Sequence, residues 1–202
     1  MPQHHYFITH PNVVISKAVP VPQWPLSDIG RSRMRAALGL PWINDLTSIY
    51  CSTEQKAMDG AHILGQHLNL NYQAVHALGE NDRSSTGFLP PSEFELVADA
   101  FFADPQQSIR GWERAIDAQA RIVDAVTDIV TADHTKGPIA IVSHRAVGTL
   151  LYCYLTSQDI SRRWDQPANG GGNYFRFSLS PREACSHWQA IDAQPCLFGS
   201  CL

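Results

Sequence analysis

Residues 137–151, "GPIAIVSHRAVGTLL", indicate the fold class of this chain. Gly137 and Pro138 mark a turn, four apolar residues then predict a buried strand, and a helical pattern begins after the polar Ser143 and His144. A short strand that leads directly into a helix is the repeating unit of a parallel sheet covered by helices. The segment therefore predicts an α/β fold.

The rest of the chain also alternates short apolar runs with longer helical patterns. Ser52 and Gln55 form an S-x-x-Q capping box and predict a helix that starts after the second strand. We therefore predict one domain over residues 1–202, a three-layer α/β/α sandwich with a mostly parallel central sheet. Its predicted core strands are 5–9, 47–52, 72–78 and 137–144, and its predicted helices begin near residues 27, 52, 91, 111 and 145.

The C-terminal quarter has a different pattern. The glycine-rich turn "NGGGN" precedes a strand whose alternation places Phe175 and Phe177 on one face. The segment "HWQAI" is predicted to pair with this strand as a hairpin. Because "NGGGN" lacks the lysine and the following helix of a phosphate-binding P-loop, we interpret it as a flexible turn near the rim of a site.

Composition and charge exclude several classes of function. The 202 residues carry 15 basic and 19 acidic side chains, so no overall positive charge attracts nucleic acid or an anionic membrane. The N-terminus lacks a basic and apolar leader pattern, and no stretch has the roughly 20 apolar residues of a membrane span, so we expect a soluble cytoplasmic protein. Five cysteines without a C-x-x-C pair argue against a disulfide framework and a zinc ribbon. Neither H-E-x-x-H nor G-x-S-x-G occurs, and we expect neither a metal nor a cofactor.

Polar and basic residues follow three of the predicted strands. Thr9 and His10 come after the first strand, Lys56 lies just after the second, and His144 and Arg145 follow the fourth. In parallel α/β sheets, ligands bind outside the carboxyl ends of strands, where helix N-termini present free N–H groups. Two histidines, a lysine and an arginine at this edge favour a site for a phosphoryl group. Lys56 alone has a simpler interpretation, as an exposed side chain on the following helix.

The chain contains five motifs in a fixed order: "ITHP", "PLSDIGRSRMRAA", "CSTEQKAMDGA", "LGENDRSSTG" and "IVSHRAVGTLL". They resemble the motifs of the histidine phosphatase superfamily, which includes the cofactor-dependent phosphoglycerate mutases. They extend over residues 5–155, about three-quarters of the chain. The resemblance implies a phosphoglycerate mutase-like fold, and the loop "ENDRSSTGFLPP" is similar to that of a divergent bacterial branch.

The resemblance also implies roles for individual residues. His10 is expected to attack phosphorus and to become a phosphohistidine intermediate. Glu80 is expected to protonate the departing oxygen and then to activate water, and Asp82 in the same loop is the alternative. His144 is expected to contact the phosphoryl oxygens and to stabilise the transition state. This mechanism needs no metal ion.

Four positions depart from the family pattern. Thr9 stands where the family has the arginine before the nucleophile, and Pro11 replaces the glycine after it. Lys56 replaces the arginine of the motif after the second strand, and Arg145 replaces the glycine after the second histidine. A lysine does not reproduce the two-pronged contact of a guanidinium with phosphate. We hypothesise that one or both of Arg83 and Arg145 point into the pocket and restore the lost positive charge. The predicted phosphate-binding residues are therefore Thr9, Lys56, Arg83 and Arg145.

The expected activity is hydrolysis of a phosphate monoester, with a small phosphorylated molecule or phosphate as the ligand. The missing arginines keep a second function open, a catalytically degenerate protein that binds a phosphorylated or anionic ligand, or a protein partner, without turnover. Residues 79–110 are predicted to form an insert that acts as a lid and sets specificity. Its aromatic residues are either walls of the site or parts of the core: Phe88, Phe94, Phe101 and Phe102.

Overall fold

A computed structural model describes residues 3–193, which form a seven-stranded sheet with helices on both faces. The strands are β1 His5–Thr9, β2 Ser48–Ser52, β3 Tyr72–Val75, β4 Ile139–Ser143, β5 Asn173–Leu179, β6 Arg182–Ala184 and β7 Gln189–Ala190. The α-helices are α1 Asp28–Ala37, α2 Gln55–Leu68, α3 Pro91–Ala103, α4 Ala115–Ala132 and α5 Arg145–Leu155. None of the helices within residues 3–193 has the length and hydropathy that a membrane span needs.

The strand order places the predicted polar strand ends at one edge of the sheet. The strands lie in the order β3, β2, β4, β1, β5, β6, and β7 pairs with β5. The first four of these are parallel, whereas β5 runs antiparallel to β1, β6 and β7. Consequently the carboxyl ends of β1, β2 and β4 are neighbours, which is the geometry that binds ligands in such sheets.

The core has one layer on each face of the sheet, because successive strand residues point to opposite faces. Ile8 of β1 packs in a cluster with Met34 of α1 and Leu64 of α2. Its neighbour Phe7 packs on the other face in a cluster that contains Ile122 of α4 and Leu151 of α5. Phe175 and Phe177 of β5 belong to that second cluster. The predicted three-layer α/β/α sandwich and the shared face of the two phenylalanines are confirmed.

A third cluster anchors the insert that follows β3. Phe101 and Phe102 of α3 are 1% and 4% exposed and pack with Trp112 and with Leu150 of α5. Of the two interpretations of these phenylalanines, core and site wall, the core interpretation is confirmed. Phe88 and Phe94 are half-buried, and both line a cleft that is described below.

Several element boundaries differ from the prediction, and three of these differences have a clear structural cause. The third strand ends at Val75, because residues 76–78 turn into a 3₁₀ helix whose last side chain, Leu78, is fully buried. Helix α4 begins at Ala115 rather than near residue 111, since Arg110 adopts a positive φ of 54° in a separate 3₁₀ turn. The predicted capping box at Ser52 is wrong: its hydroxyl accepts a hydrogen bond from the N–H of Glu54, and Glu54 is the N-cap residue of α2.

Candidate active site

The carboxyl ends of β1 and β4 bring His10 and His144 together. Thr9 pairs in register with Ser143, and the N–H of His10 donates to the Ser143 carbonyl at 3.1 Å. The imidazole rings of His10 and His144 have centroids 5.2 Å apart, and the angle between their planes is 68°. Two residues separated by more than a hundred positions thus share one site because their strands are neighbours in the sheet.

The backbone beside His10 sets the tautomer of its ring. Nδ1 of His10 lies 2.9 Å from the carbonyl oxygen of Pro11, and a carbonyl only accepts, so Nδ1 carries the hydrogen and Nε2 keeps its lone pair. Burial, and next the positive charge of Lys56, lower the pKa of His10 to about 4. The ring is therefore neutral near pH 7, with a free nitrogen lone pair suited to nucleophilic attack.

The "NGGGN" turn holds the backbone at His10. The N–H of Gly172 donates to the His10 carbonyl at 3.1 Å. Gly171 has a φ of 79°, and a Cβ at this position would lie 2.3 Å from the His10 carbonyl oxygen. Only glycine combines this left-handed conformation with so close an approach. The turn was predicted near the rim of the site, and the structure gives it a direct contact with His10.

The hydroxyl group of Thr9 forms hydrogen bonds with buried partners. Its Oγ1 donates to Oε1 of Gln166 at 2.6 Å or to the Asn173 carbonyl at 3.2 Å, and it accepts from the N–H of Asn173 at 3.0 Å. The side chain is 1% exposed, and one hydroxyl hydrogen serves only one acceptor at a time. Thr9 therefore links β1 to β5, and these partners occupy its hydroxyl group.

His144 is fully buried and lies at the N-terminus of α5. Within residues 3–193, neither ring nitrogen has a hydrogen-bond partner, although Nε2 is 3.3 Å from Oε1 of Glu54. Burial lowers the pKa of His144 well below its usual value, and the negative charge of Glu54 only partly opposes this effect. A neutral His144 retains one N–H that is able to donate to an anion.

Lys56 is also buried, and its interpretation as an exposed helix residue is wrong. The side chain is 4% exposed. Its Nζ donates to the carbonyl of Val21 at 2.9 Å and forms an ion pair with Oε2 of Glu54. A buried ammonium needs such partners because burial of an unpaired charge is very unfavourable. Lys56 therefore places a positive charge beside His10, whose pKa it lowers.

Glu80 binds the N-terminus of α5. Its Oε2 accepts from the N–H of Ala146 at 3.2 Å, and its Oε1 accepts from the N–H of Val147 at 3.1 Å. These N–H groups have no partner within the helix, and a carboxylate is favourable at this end. The alternative acid, Asp82, is exposed, and its pKa is lowered by hydrogen bonds from the backbone and side chain of Ser84. Both carboxylates line the cleft.

The two candidate replacement arginines have different surroundings. The Arg83 guanidinium lies 5.1 Å from the ring centroid of Phe94 and 5.6 Å from that of Trp112. Its positive charge lowers the pKa of His10, although less than burial does. Arg145, in contrast, donates from Nε to Oδ2 of Asp165 at 2.7 Å. Arg83 therefore lines the cleft beside Glu80, whereas Arg145 does not line it and pairs with the buried carboxylate of Asp165.

A cleft of about 1250 Å³ is lined by Glu54, Glu80 and Arg83, whereas His10, Lys56 and His144 are not among its lining residues. One wall is the loop 17–24, and the other is the first part of the insert, including Arg83, Phe88 and Phe94. Lys17 contributes a second positive charge, with its Nζ 5.7 Å from the ring centroid of Phe88. Glu54 lines this cleft and also contacts His144, so it connects the cleft with the pair of histidines.

The chain was compared with sequence models of protein families. The sequence model of the histidine phosphatase superfamily (branch 1) matches residues 17–180, most of the chain. The chain belongs to this superfamily. The matched region begins after His10, so the N-terminal motif, with Thr9 and Pro11 around the histidine, lies outside it.

Solved structures are similar to this histidine phosphatase superfamily member over nearly its whole length. Mycobacterial glucosyl-3-phosphoglycerate phosphatase, in a complex with inorganic phosphate, is 17% identical with a TM-score of 0.76, and the alignment covers 95% of this chain and 100% of that chain. YhfR of Bacillus stearothermophilus is 21% identical with a TM-score of 0.71, and the alignment covers 90% and 94%. Identities this low show the fold alone. A comparison with curated proteins gave no match.

Glu54 of this superfamily member is a site residue that the sequence motifs do not predict. Oε1 accepts from the N–H of Glu80 at 2.9 Å, and the side chain is 13% exposed. Burial alone would raise the pKa of Glu54, but the ion pair with Lys56 and the hydrogen bond from the Glu80 N–H outweigh it and hold the pKa below its usual value. In the sequence, Glu54 is recognisable only as an acidic residue two positions before Lys56, the lysine that replaces the family arginine.

Within residues 3–193, no group of three or more His, Cys, Asp or Glu side chains is arranged to hold a metal ion. The candidate site contains two neutral imidazoles, the cations of Lys56 and Arg83, and the carboxyl groups of Glu54 and Glu80.

Proposed function

We propose that this protein hydrolyses a small phosphate monoester and that His10 is phosphorylated during the reaction. The observation that carries the proposal is the hydrogen bond from Nδ1 of His10 to the Pro11 carbonyl, which leaves the Nε2 lone pair free on a neutral ring. Membership of the histidine phosphatase superfamily supports it, and so does the shared fold of a mycobacterial protein described as a phosphatase.

The proposed first step forms the phosphohistidine. Nε2 of His10 attacks phosphorus in line with the leaving oxygen, and the bond to that oxygen breaks. Lys56 and Arg83 stabilise the negative charge of the transferring group, and the one N–H of neutral His144 donates to a phosphoryl oxygen. Glu80, in its protonated form, gives its proton to the leaving oxygen, which departs into the cleft.

The proposed second step releases phosphate. The carboxylate of Glu80 takes a proton from water as the water oxygen attacks phosphorus, and the bond between phosphorus and Nε2 breaks. His10 returns to its neutral form and Glu80 to its protonated form. In this scheme the cations of the protein neutralise the phosphoryl charge, so no step is assigned to a metal ion.

We also propose that residues 79–110 and the loop 17–24 contact the leaving group. Phe88 and Phe94 line the cleft, and Lys17 and Arg83 lie against their rings. Such walls suit a leaving group with an apolar or aromatic surface, because rings of this kind bury apolar area and stack with planar groups.

The decisive experiment combines turnover with detection of phosphohistidine. His10→Ala should lower the hydrolysis of p-nitrophenyl phosphate by about 10⁴- to 10⁶-fold, the range found when one member of a nucleophilic catalytic unit is removed. The wild-type chain should carry a base-stable, acid-labile phosphate on residue 10 after rapid quenching, and a chelator should leave its rate unchanged. His134→Ala is a matched control, since His134 is an exposed histidine outside the site. Full activity in His10→Ala would reject the mechanism, and loss of activity on chelation would indicate a metal-dependent hydrolase.

A second function on the same site is binding of an anion without turnover. It is favoured by one observation, the contact of Glu54 with Lys56, which reduces the positive charge available to a phosphoryl group. The same experiment separates the two functions. Binding of phosphate or vanadate without any phosphohistidine would establish the binding function and reject the hydrolase.

A further inference from the structure

Glu54 contacts the two groups that the proposed function assigns to the phosphoryl oxygens. Its Oε2 forms an ion pair with Nζ of Lys56, and its Oε1 lies 3.3 Å from Nε2 of His144. The same Oε1 accepts from the N–H of Glu80 at 2.9 Å, which fixes the carboxylate in this place. Glu54 also lines the cleft.

Lys56 and His144 have few N–H donors, so their contacts with Glu54 affect the binding of an anion. A lysine ammonium has three N–H donors, of which one goes to the Val21 carbonyl and a second to Glu54. Neutral His144 has a single N–H. One N–H of Lys56 is therefore left for a phosphoryl group, and His144, the other proposed donor, has its Nε2 3.3 Å from Oε1 of Glu54. A phosphoryl group that uses both donors lies next to the Glu54 carboxylate.

Charge adds to this competition. A phosphate monoester carries about 1.5 to 2 negative charges near pH 7. The side chain of Glu54 is 13% exposed, and repulsion between like charges is stronger in such surroundings than in water. The Lys56 charge, which would otherwise attract the phosphoryl group, is already neutralised by Glu54.

We propose that Glu54 is an internal competitor of the phosphoryl group, whose carboxylate must leave Lys56 and His144 before an anion binds. Glu54 then determines the affinity of the site for phosphorylated ligands. This inference rests on the proposed function, which places the phosphoryl group at Lys56 and His144. A purely structural role as the counter-ion of a buried lysine gives a different expectation, since loss of Glu54 would then lower stability without raising anion affinity.

Calorimetric titration of the full chain with inorganic phosphate and with orthovanadate tests the proposal. Glu54→Gln should bind both anions at least about tenfold more tightly than the wild type, because Gln keeps an oxygen acceptor for the N–H of Glu80 but carries no charge. Glu54→Ser provides a second variant that is suited to folding, since residue 54 is the N-cap of α2 and serine is a favoured N-cap residue. Glu93→Gln is the matched control, because Glu93 is 44% exposed, pairs with Arg110 and should change affinity less than about twofold.

A double variant tests whether Lys56 carries the gain. Lys56→Met combined with Glu54→Gln should lose most of the increased affinity, since the gain is attributed to the released ammonium. The inference is overturned by equal or weaker anion binding in both Glu54→Gln and Glu54→Ser, or by an undiminished gain in the double variant.

Parallel assays of the wild type separate this inference from the proposed function. Tighter anion binding by Glu54→Gln without phosphohistidine in the wild type would support the internal competitor and reject the hydrolase. Turnover and phosphohistidine in the wild type without any gain in affinity would retain the hydrolase and reject the internal competitor.

Discussion

Glu80 has two roles in the proposed site, because it binds the N-terminus of α5 and is the proposed general acid. Its oxygens accept N–H bonds from Ala146 and Val147 at the start of α5, and a third bond comes from the N–H of Asn81 at 3.2 Å. A carboxylate offers about four lone-pair sites, so one remains to hold the proton that goes to the leaving oxygen or to accept a proton from water. The same residue thus positions α5, which begins beside His144, and supplies the proposed proton.

Glu80→Gln separates these two tasks. The variant keeps an oxygen for the helix N–H groups, so we expect the free energy of unfolding to fall by only about 0.3 to 1 kcal/mol. Turnover of an alkyl phosphate should fall by about 10²-fold or more, because its leaving oxygen needs a proton, whereas p-nitrophenyl phosphate should be affected much less. Steady-state kinetics on the two substrates measures the difference.

Asp82→Asn is the matched comparison for this prediction. Asp82 belongs to the same loop and lines the same cleft, but it is exposed and does not contact α5. We expect the alkyl substrate to be turned over normally by this variant. A selective loss of alkyl phosphate turnover in Asp82→Asn, with normal kinetics in Glu80→Gln, would assign the acid to Asp82.

Local motifs identify some of the site residues and not others. His10 and His144 follow apolar strand patterns, so their positions at the strand ends follow from sequence alone. The surroundings of Glu54 and Arg145 depend on segments that are distant in the chain. Glu54 accepts a hydrogen bond from the N–H of Glu80. Arg145 forms an ion pair with Asp165, which lies in an irregular segment without a periodic pattern.

The glycine turn before β5 is the element that holds His10 in place. A Cβ on Gly171 would lie 2.3 Å from the His10 carbonyl oxygen, and residues 170–172 all have a positive φ. The sequence indicates a turn here, but its contact with His10 depends on the antiparallel pairing of β5 with β1, which no local pattern specifies. Likewise, the early end of β3 follows from burial of Leu78, a tertiary effect.

Gly171→Ala should therefore lower both stability and the rate of phosphohistidine formation. The left-handed backbone alone costs about 1 to 2 kcal/mol for a residue with a Cβ, and the close contact adds to this cost. Gly87→Ala is the control, because Gly87 also has a positive φ of 60° but has nothing within 4 Å of the added Cβ. Urea unfolding should show a larger loss for Gly171→Ala, and equal losses in the two variants would contradict the assigned role of the turn.

At the scale of the whole molecule, buried histidines couple folding to pH. His5, His10 and His144 lie along β1 and after β4, and burial is the largest cause of a lowered pKa in all three. For His5 and for His10 the pKa falls from 6.5 to about 4. Between these two values the unfolded chain binds more protons than the folded one, so the free energy of unfolding must fall as the pH is lowered.

We therefore expect the fold to have its full histidine-dependent stability above pH 6.5 and to lose it progressively as the pH falls toward about 4. Urea unfolding curves measured at several pH values across this window test the direction. His5→Gln should make the loss shallower, because its side chain does not titrate and its oxygen can accept the N–H of Ile139, which donates to Nδ1 of His5 at 3.3 Å. Unchanged stability across the window, or a slope in His5→Gln equal to that of the wild type, would mean that burial does not hold His5 in its neutral form.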